Sequence, residues 1–278
     1  MNFNPNNRHD THIVHIFWTG GWDSTYRIVE LSRMPVTVQP VYCIDKERRS
    51  LERERSAMNA ILSALEQKPE TRAEFLPIKQ IDIETLPENK EITEAYKTIC
   101  KTVRLGSQYE WLAKVALNFP GIETGIEKPN GEFSGCFEAI DTFGKLSRVN
   151  DTWKIDPLAS SRELCLLFGN LSFPIIMTTE LEMRENIKKW HYEDVMSSIW
   201  FCHSPVNGKP CGVCRPCEQK MECGMSWLLP EEAHRRYTWH KRGEAIVKIP
   251  VIGFVFRAVR KIYRLFRKVL FSVSSPQQ

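Results

Sequence analysis

The sequence predicts an α/β fold, a parallel sheet flanked by helices, followed by a metal-stapled C-terminal lobe and a basic amphipathic helix. Three observations carry that expectation. Strand-like and helix-like segments alternate through residues 1–170, the pattern of βαβ units. A glycine turn, Thr19-Gly20-Gly21-Trp22-Asp23-Ser24-Thr25, joins the first strand to the first helix. Four cysteines, Cys202, Cys211, Cys214 and Cys217, fall in one short stretch with the spacing Cys-x8-Cys-x2-Cys-x2-Cys.

His12 to Trp18 alternates in polarity and ends in aromatics, as a buried first strand does. Ser24 to Arg33 reads as a helix that opens on the glycine turn. Val36 to Ile44 is β-branched and apolar, a second strand. Across Ser50 to Leu65, the apolar Leu51, Ala57, Met58, Ile61, Leu62 and Leu65 recur among charges with helical spacing. Phe75 to Ile83 reads as a third strand, and Ile92 to Val103 and Ser107 to Leu117 as helices. Gly121 to Ile126 reads as a fourth strand leading into a glycine-rich loop through Gly135. Glu163 to Phe168 is a short helix, and a less regular region begins at Ser172. No internal repeat or low-complexity segment is evident.

At 278 residues the chain has room for one large α/β domain, or for one domain and an appendage. The net charge of +4 conceals an asymmetry: from Ala245 onward there are seven cations and no acids, and removing them leaves −3 for residues 1–244. Overall charge therefore misplaces any electrostatic partner, since the body is mildly acidic and the tail strongly basic. The polar start, Met1 to Asp10, has no apolar core of a secretory signal, so a cytoplasmic location is expected. The longest uncharged apolar run of the tail, Ile249 to Phe256, is far below the roughly 20 residues that a membrane span needs.

In the glycine turn, Gly20 and Gly21 have no Cβ, so backbone N–H groups can close on an anion, aided by the positive end of the following helix. Ser24 and Thr25 add hydroxyls, and Asp23 can hold a cation that bridges phosphate oxygens. The plainer alternative is a tight strand-to-helix connection with Asp23 or Ser24 as its N-cap. Among the cysteines, four thiolates would fill the tetrahedron of a zinc ion and leave no position open for water, which makes the site structural. Gly208 and Gly212 permit the turns, and Pro210 and Pro216 stiffen them. An iron–sulfur cluster, disulfides, or His203 in place of a cysteine remain as alternatives.

The turn resembles the PP-loop of the ATP pyrophosphatase superfamily, whose pattern is Ser-Gly-Gly-x-Asp-Ser, with Thr19 in the place of the first serine. The usual Gly-x-x-x-x-Gly-Lys-Ser/Thr loop of γ-phosphate transfer is absent. The cysteine segment, from Trp200-Phe201-Cys202-His203 through Gly208-Lys209-Pro210-Cys211-Gly212-Val213-Cys214-Arg215-Pro216-Cys217, is similar to the zinc segment of 7-cyano-7-deazaguanine synthases. The resemblance runs in element order from about His12 to Met225. It is specific at its two ends and looser at Asp45, Gly106-Ser107-Gln108, Gly125 and Asp156-Pro157-Leu158.

The resemblance implies a Rossmann-like PP-loop (HUP) fold, with a nucleotide-binding domain at 1–170, a helical zinc lobe at 171–244 and a basic tail at 245–278. It implies an ATP-dependent ligase that adenylates a deazapurine-like carboxylate for attack by ammonia, releasing AMP and pyrophosphate on the way to an amide and a nitrile. Asp23 and Ser24 take the catalytic places. Thr19, Gly20, Gly21, Trp22, Asp23, Ser24, Thr25, Asp45, Gly106 and Gly125 take the ATP-binding ones. Ser134 and Glu138 face the substrate. Cys202, Cys211, Cys214 and Cys217 hold structural Zn2+, and Mg2+ accompanies ATP; a homodimer is expected.

The chain also departs from the family. The substrate loop, rich in Ser-Gly-Tyr-Pro-Asp-Cys-Arg-like residues there, is Gly131 to Glu138 here, with no arginine close behind to meet a carboxylate. The family's Asp-Tyr-Gly-Gln is replaced by Asp45-Lys46-Glu47-Arg48-Arg49. The alternatives are a tRNA-modifying PP-loop enzyme, which the basic tail favours, and a non-catalytic nucleotide-binding module at a membrane.

In the tail, apolar residues from Val251 to Leu270 recur at three- and four-residue steps with cations between them. That helix, over residues 251–271, suits an anionic membrane surface at the inner membrane face or an acidic partner. A helix packed on the body with its charges solvated is the plainer alternative. Tyr237 and Trp239 before it read equally as interface anchors or as core.

Overall fold

The computed structural model describes residues 13–129 and 135–247, without the side chains of residues 245–247. Ser134 and the amphipathic segment at 251–271 lie outside the described residues. The chain forms two compact units, Met1–His203 and Ser204–Gln278.

The first unit is α/β. Its strands are β1 (Ile13–Phe17), β2 (Thr37–Ile44), β3 (Glu74–Phe75), β4 (Lys79–Asp82), β5 (Ile122–Glu123), a separate pair β6 (Leu146–Val149) and β7 (Thr152–Ile155), and β8 (Leu171–Ser172). Its helices are α1 (Trp22–Ser32), α2 (Leu51–Glu66), α3 (Lys90–Ile99), α4 (Gln108–Ala116), α5 (Gly135–Phe143), α6 (Arg162–Phe168), α7 (Glu180–Trp190) and α8 (Glu193–Met196). The main sheet runs β3-β2-β1-β5-β8, with β4 also on β2, and every pairing in it is parallel. The sheet thus extends beyond residue 170, because β8 is its outer strand.

β1 and α1 form where the sequence places them. Ile16 and Trp18 are fully buried, and α1 turns Tyr26, Ile28, Val29 and Leu31 into the core. Pro35 follows α1 closely and disfavours helical backbone at Met34. α2 buries Ala57, Met58, Ile61 and Leu65, the stripe legible in the sequence.

The expected third strand at Phe75–Ile83 is two short strands, and proline is the reason. β3 pairs with Thr37 and Val38, and β4 pairs with Val41 to Ile44. Between them Pro40 and Pro77 cannot donate to a ladder. Gln39 Nε2 fills the gap, donating to the carbonyls of Pro77 at 2.7 Å and Pro40 at 3.1 Å. The fourth strand narrows from Gly121–Ile126 to Ile122–Glu123.

One further expectation is refined and another corrected. The stretch after Ser172, though irregular in most of its length, holds α7 and α8, and α7 is fixed by a capping box, in which Thr179 Oγ1 accepts from Glu182 N at 3.3 Å and Glu182 Oε2 accepts from Thr179 N at 2.7 Å. Glu138 lies on α5 rather than in a loop.

The second unit contains α9 (Arg215–Glu222) and α10 (Glu231–Val247). Among its described residues the buried apolar ones are Met225, Leu229 and Ala233, besides Cys211 and Cys217. Core packing does not take up Trp239, which is 72% exposed. No helix among the described residues is long and apolar enough to cross a membrane.

Candidate functional site

β1 has β2 on one side and β5 on the other, so the chain leaves the sheet in opposite directions beyond their C-terminal ends. Ligands of open parallel sheets bind at such a point. A cleft of about 180 Å3 lies there. The β1–α1 turn supplies Thr19, Gly21, Asp23 and Ser24, the end of β5 supplies Thr124 and Gly125, and α4 supplies Gln108 and Tyr109.

The turn is built from its glycines. Gly20 has φ +71°, in the left-handed region, and its carbonyl accepts from Trp200 N at 2.8 Å. Gly21, with φ −78° and ψ 171°, is the N-cap of α1 and has no side chain with which to cap it. A Cβ at Gly21 would meet nothing nearer than 3.5 Å, so space alone does not demand glycine there. Gly125 is different: a Cβ would lie 2.6 Å from Ser24 N and 2.7 Å from Ser24 Cα. Glycine is what lets the end of β5 rest against the first turn of α1. Gly125→Ala is expected to destabilise by about 2 kcal/mol through overpacking of backbone on backbone, read as a lowered thermal midpoint. An unchanged midpoint would mean that the two segments part freely.

The other residues expected to hold a nucleotide lie elsewhere. Thr25 is fully buried, and its Oγ1 accepts from Trp18 Nε1 at 3.0 Å, so its hydroxyl serves the core. Trp22 is 2% exposed and does not line the cleft. The carboxylate of Asp45 accepts from Glu47 N at 3.0 Å in a local turn outside the cleft lining. Gly106 precedes α4, its carbonyl accepting from Tyr109 N at 3.2 Å. Glu138 is half-buried on α5, again outside the lining.

The structure adds Arg48, which in the sequence is one of a run of charges, Asp45 to Arg49. It lines the cleft and pairs with Glu54 on α2, at 2.8 Å. The signal in the sequence is weak, since Arg49 beside it is equally basic. Burial, with Cys136 alongside, holds the Tyr109 phenol far above its usual range. Burial likewise raises the Cys136 thiol, so both groups are neutral near pH 7. Cys136 therefore has no thiolate character with which to act as a nucleophile.

The cysteine sulfurs of Cys202, Cys211, Cys214 and Cys217 all lie within 4.8 Å of one another, and Cys211 Sγ is 4.0 Å from Cys217 Sγ. A tetrahedron with metal–sulfur bonds of about 2.3 Å has edges of about 3.8 Å, so the cage has the size for zinc. Disulfide sulfurs would be about 2.05 Å apart. The backbone N–H groups of Val213 and Cys214 donate to Cys211 Sγ at 3.4 and 3.2 Å, which suits a thiolate. Asn207 and Gly208, with φ 51° and 73°, make the tight turn that returns the chain towards Cys211. Gly212, with φ +83°, packs so closely on α10 that a Cβ would lie 2.2 Å from the carbonyl oxygen of Ala233. Arg236 donates through Nε to the Cys211 carbonyl at 2.7 Å and through Nη2 to that of Pro210 at 3.1 Å. The four cysteines therefore form a site able to hold a metal such as zinc.

A second group, Glu218, His240 and Glu244, is also compact, but Lys241 Nζ lies 3.5 Å from Glu218 and 3.7 Å from Glu244. An ammonium already balances those carboxylates. No family model matches the chain, and no curated protein matches it either.

Proposed function

We propose that the chain is an ATP-dependent C–N ligase of the PP-loop kind, resembling 7-cyano-7-deazaguanine synthase. The observation that supports the reading most is the cleft at the ends of β1 and β5, with Thr19, Gly21, Asp23 and Ser24 on one wall. Its 180 Å3 is below the roughly 300 Å3 at which whole small-molecule pockets begin. It suits the phosphate end of a nucleotide, with the nucleoside lying outside it.

A carboxylate is a poor electrophile. In the proposed reaction its oxygen attacks the α-phosphorus of ATP and pyrophosphate leaves. Ammonia then adds to the acyl carbon and AMP departs, giving the amide. A second activation, on the amide oxygen, allows loss of AMP and protons to give the nitrile. Backbone N–H groups of the β1–α1 turn and the Ser24 hydroxyl would stabilise charge on the departing pyrophosphate. Asp23 would hold Mg2+, which neutralises phosphate charge when bound. The substrate is a small carboxylated heterocycle of the deazapurine type. Zinc on the four cysteines is structural in this reading, because four protein ligands leave no open position.

Incubation with ATP, Mg2+, ammonium and 7-carboxy-7-deazaguanine is expected to release AMP and pyrophosphate. Asp23→Asn should slow that release on the order of a hundredfold. Formation of ADP in place of AMP would end the reading.

A further inference from the structure

Arg48 is held in an unusual way for a residue of the cleft wall. Its Nη2 lies 2.8 Å from Oε1 of Glu54, a carboxylate only 3% exposed. Glu54 also accepts from Ser50 Oγ at 2.7 Å and from Tyr42 OH at 2.8 Å. Two hydroxyls thus donate to one buried carboxylate, and the ion pair with that carboxylate holds one corner of the guanidinium. Gly20 adjoins the same backbone, since a Cβ on it would lie 3.3 Å from the Glu54 carbonyl oxygen. The network is therefore anchored beside the glycine turn that also lines the cleft.

A guanidinium presents five N–H donors in a rigid fork. One corner is committed to Glu54, and the side chain remains 26% exposed. Among the described residues, the rest of the fork has no hydrogen-bonded partner. A fork held at one end and open at the other is preorganised for an oxyanion, because little rotamer entropy remains to be lost.

We propose that Arg48 is the anion-recognising residue of the cleft, forming charge-assisted hydrogen bonds to a phosphate group of the ligand. This rests on the nucleotide reading above and adds a residue to it. The ligand chemistry is a polyphosphate or pyrophosphate anion. Glu54 acts as a positioning residue, through Arg48.

Calorimetric titration of the full chain with inorganic pyrophosphate, and separately with ATP, tests it. Arg48→Gln is expected to weaken pyrophosphate binding roughly tenfold or more, the usual consequence of losing a charge-assisted contact. That variant leaves Glu54 buried without a cation, so the double variant Arg48→Gln with Glu54→Gln is measured beside it. The double variant removes both charges and should fold as the wild type does, judged by circular dichroism, while still binding weakly. Glu54→Gln alone keeps the guanidinium and should fall between. Wild-type affinity for pyrophosphate in the double variant would overturn the proposal, leaving Arg48 as the counter-ion of Glu54 and the nucleotide reading intact. Failure of the wild-type chain to bind either pyrophosphate or ATP would remove both.

Discussion

Replacing Cys217 by serine, or stripping metal with a strong chelator, is expected to unfold the segment that follows Ser204. The argument is one of size. Among its described residues the second unit buries Met225, Leu229 and Ala233 and little else that is apolar apart from its cysteines. So small a core cannot offset the entropy of ordering helices of this length, and small folds of this kind need a staple. Structural zinc contributes on the order of 10 kcal/mol in such settings. Losing one fully buried thiolate of four should therefore cost several kcal/mol. Limited proteolysis of the Cys217→Ser protein should cut between residues 204 and 247 where the wild type resists. Elemental analysis of the wild type should find one zinc per chain. A variant with wild-type protease resistance would show that packing alone holds the unit. Iron with acid-labile sulfide would replace zinc by a cluster.

The second large effect is expected at Glu123. Arg27 on α1 donates through Nε and Nη2 to its two carboxylate oxygens, both at 2.8 Å, and through Nη1 to Glu30 at 3.2 Å. The two side chains are only 15% and 11% exposed. Glu123→Ala leaves a mostly buried guanidinium with Glu30 as its remaining carboxylate, a change that costs about 3 kcal/mol. For a chain of this size the midpoint should fall by roughly 6–12 °C. Arg27→Met combined with Glu123→Leu should recover most of the loss, since no buried charge is then left without its partner. Because the pair ties α1 to β5, the single variant should also weaken pyrophosphate binding. A double variant as unstable as the single one would point to lost packing, not to the charge.

The first half of the sheet was legible because local signals agreed. In β1, α1, β2 and α2 the periodicity and the flanking residues point one way, and the observed boundaries lie within two residues of those expected. The third strand failed on backbone chemistry: Phe75 to Ile83 is suitably apolar, but Pro77 faces the gap beside Pro40. The pair β6 and β7 turns at Asn150, whose φ of 54° is a local signal that composition alone conceals. The region of α7 hid behind its polarity; Thr179 and Glu182 were the marks that could have revealed it. Thr19, Gly21, Asp23 and Ser24 line the cleft, but residue type could not tell them from Thr25, whose partner Trp18 lies just beyond β1. Arg48 was beyond reach, because what sets it apart is a buried carboxylate on the next helix.

The hydrogen bond from Trp200 to Gly20 has a consequence for anyone who would transplant either motif. Trp200 also donates its indole N–H to the carbonyl of Cys202 at 2.9 Å, so a single residue is stitched to the glycine turn and to the first cysteine. The two sequence signatures, far apart along the chain, share a seam. A chimera that imports the cysteine segment without the matching turn would inherit a mismatched joint, and its fault would surface at the opposite signature.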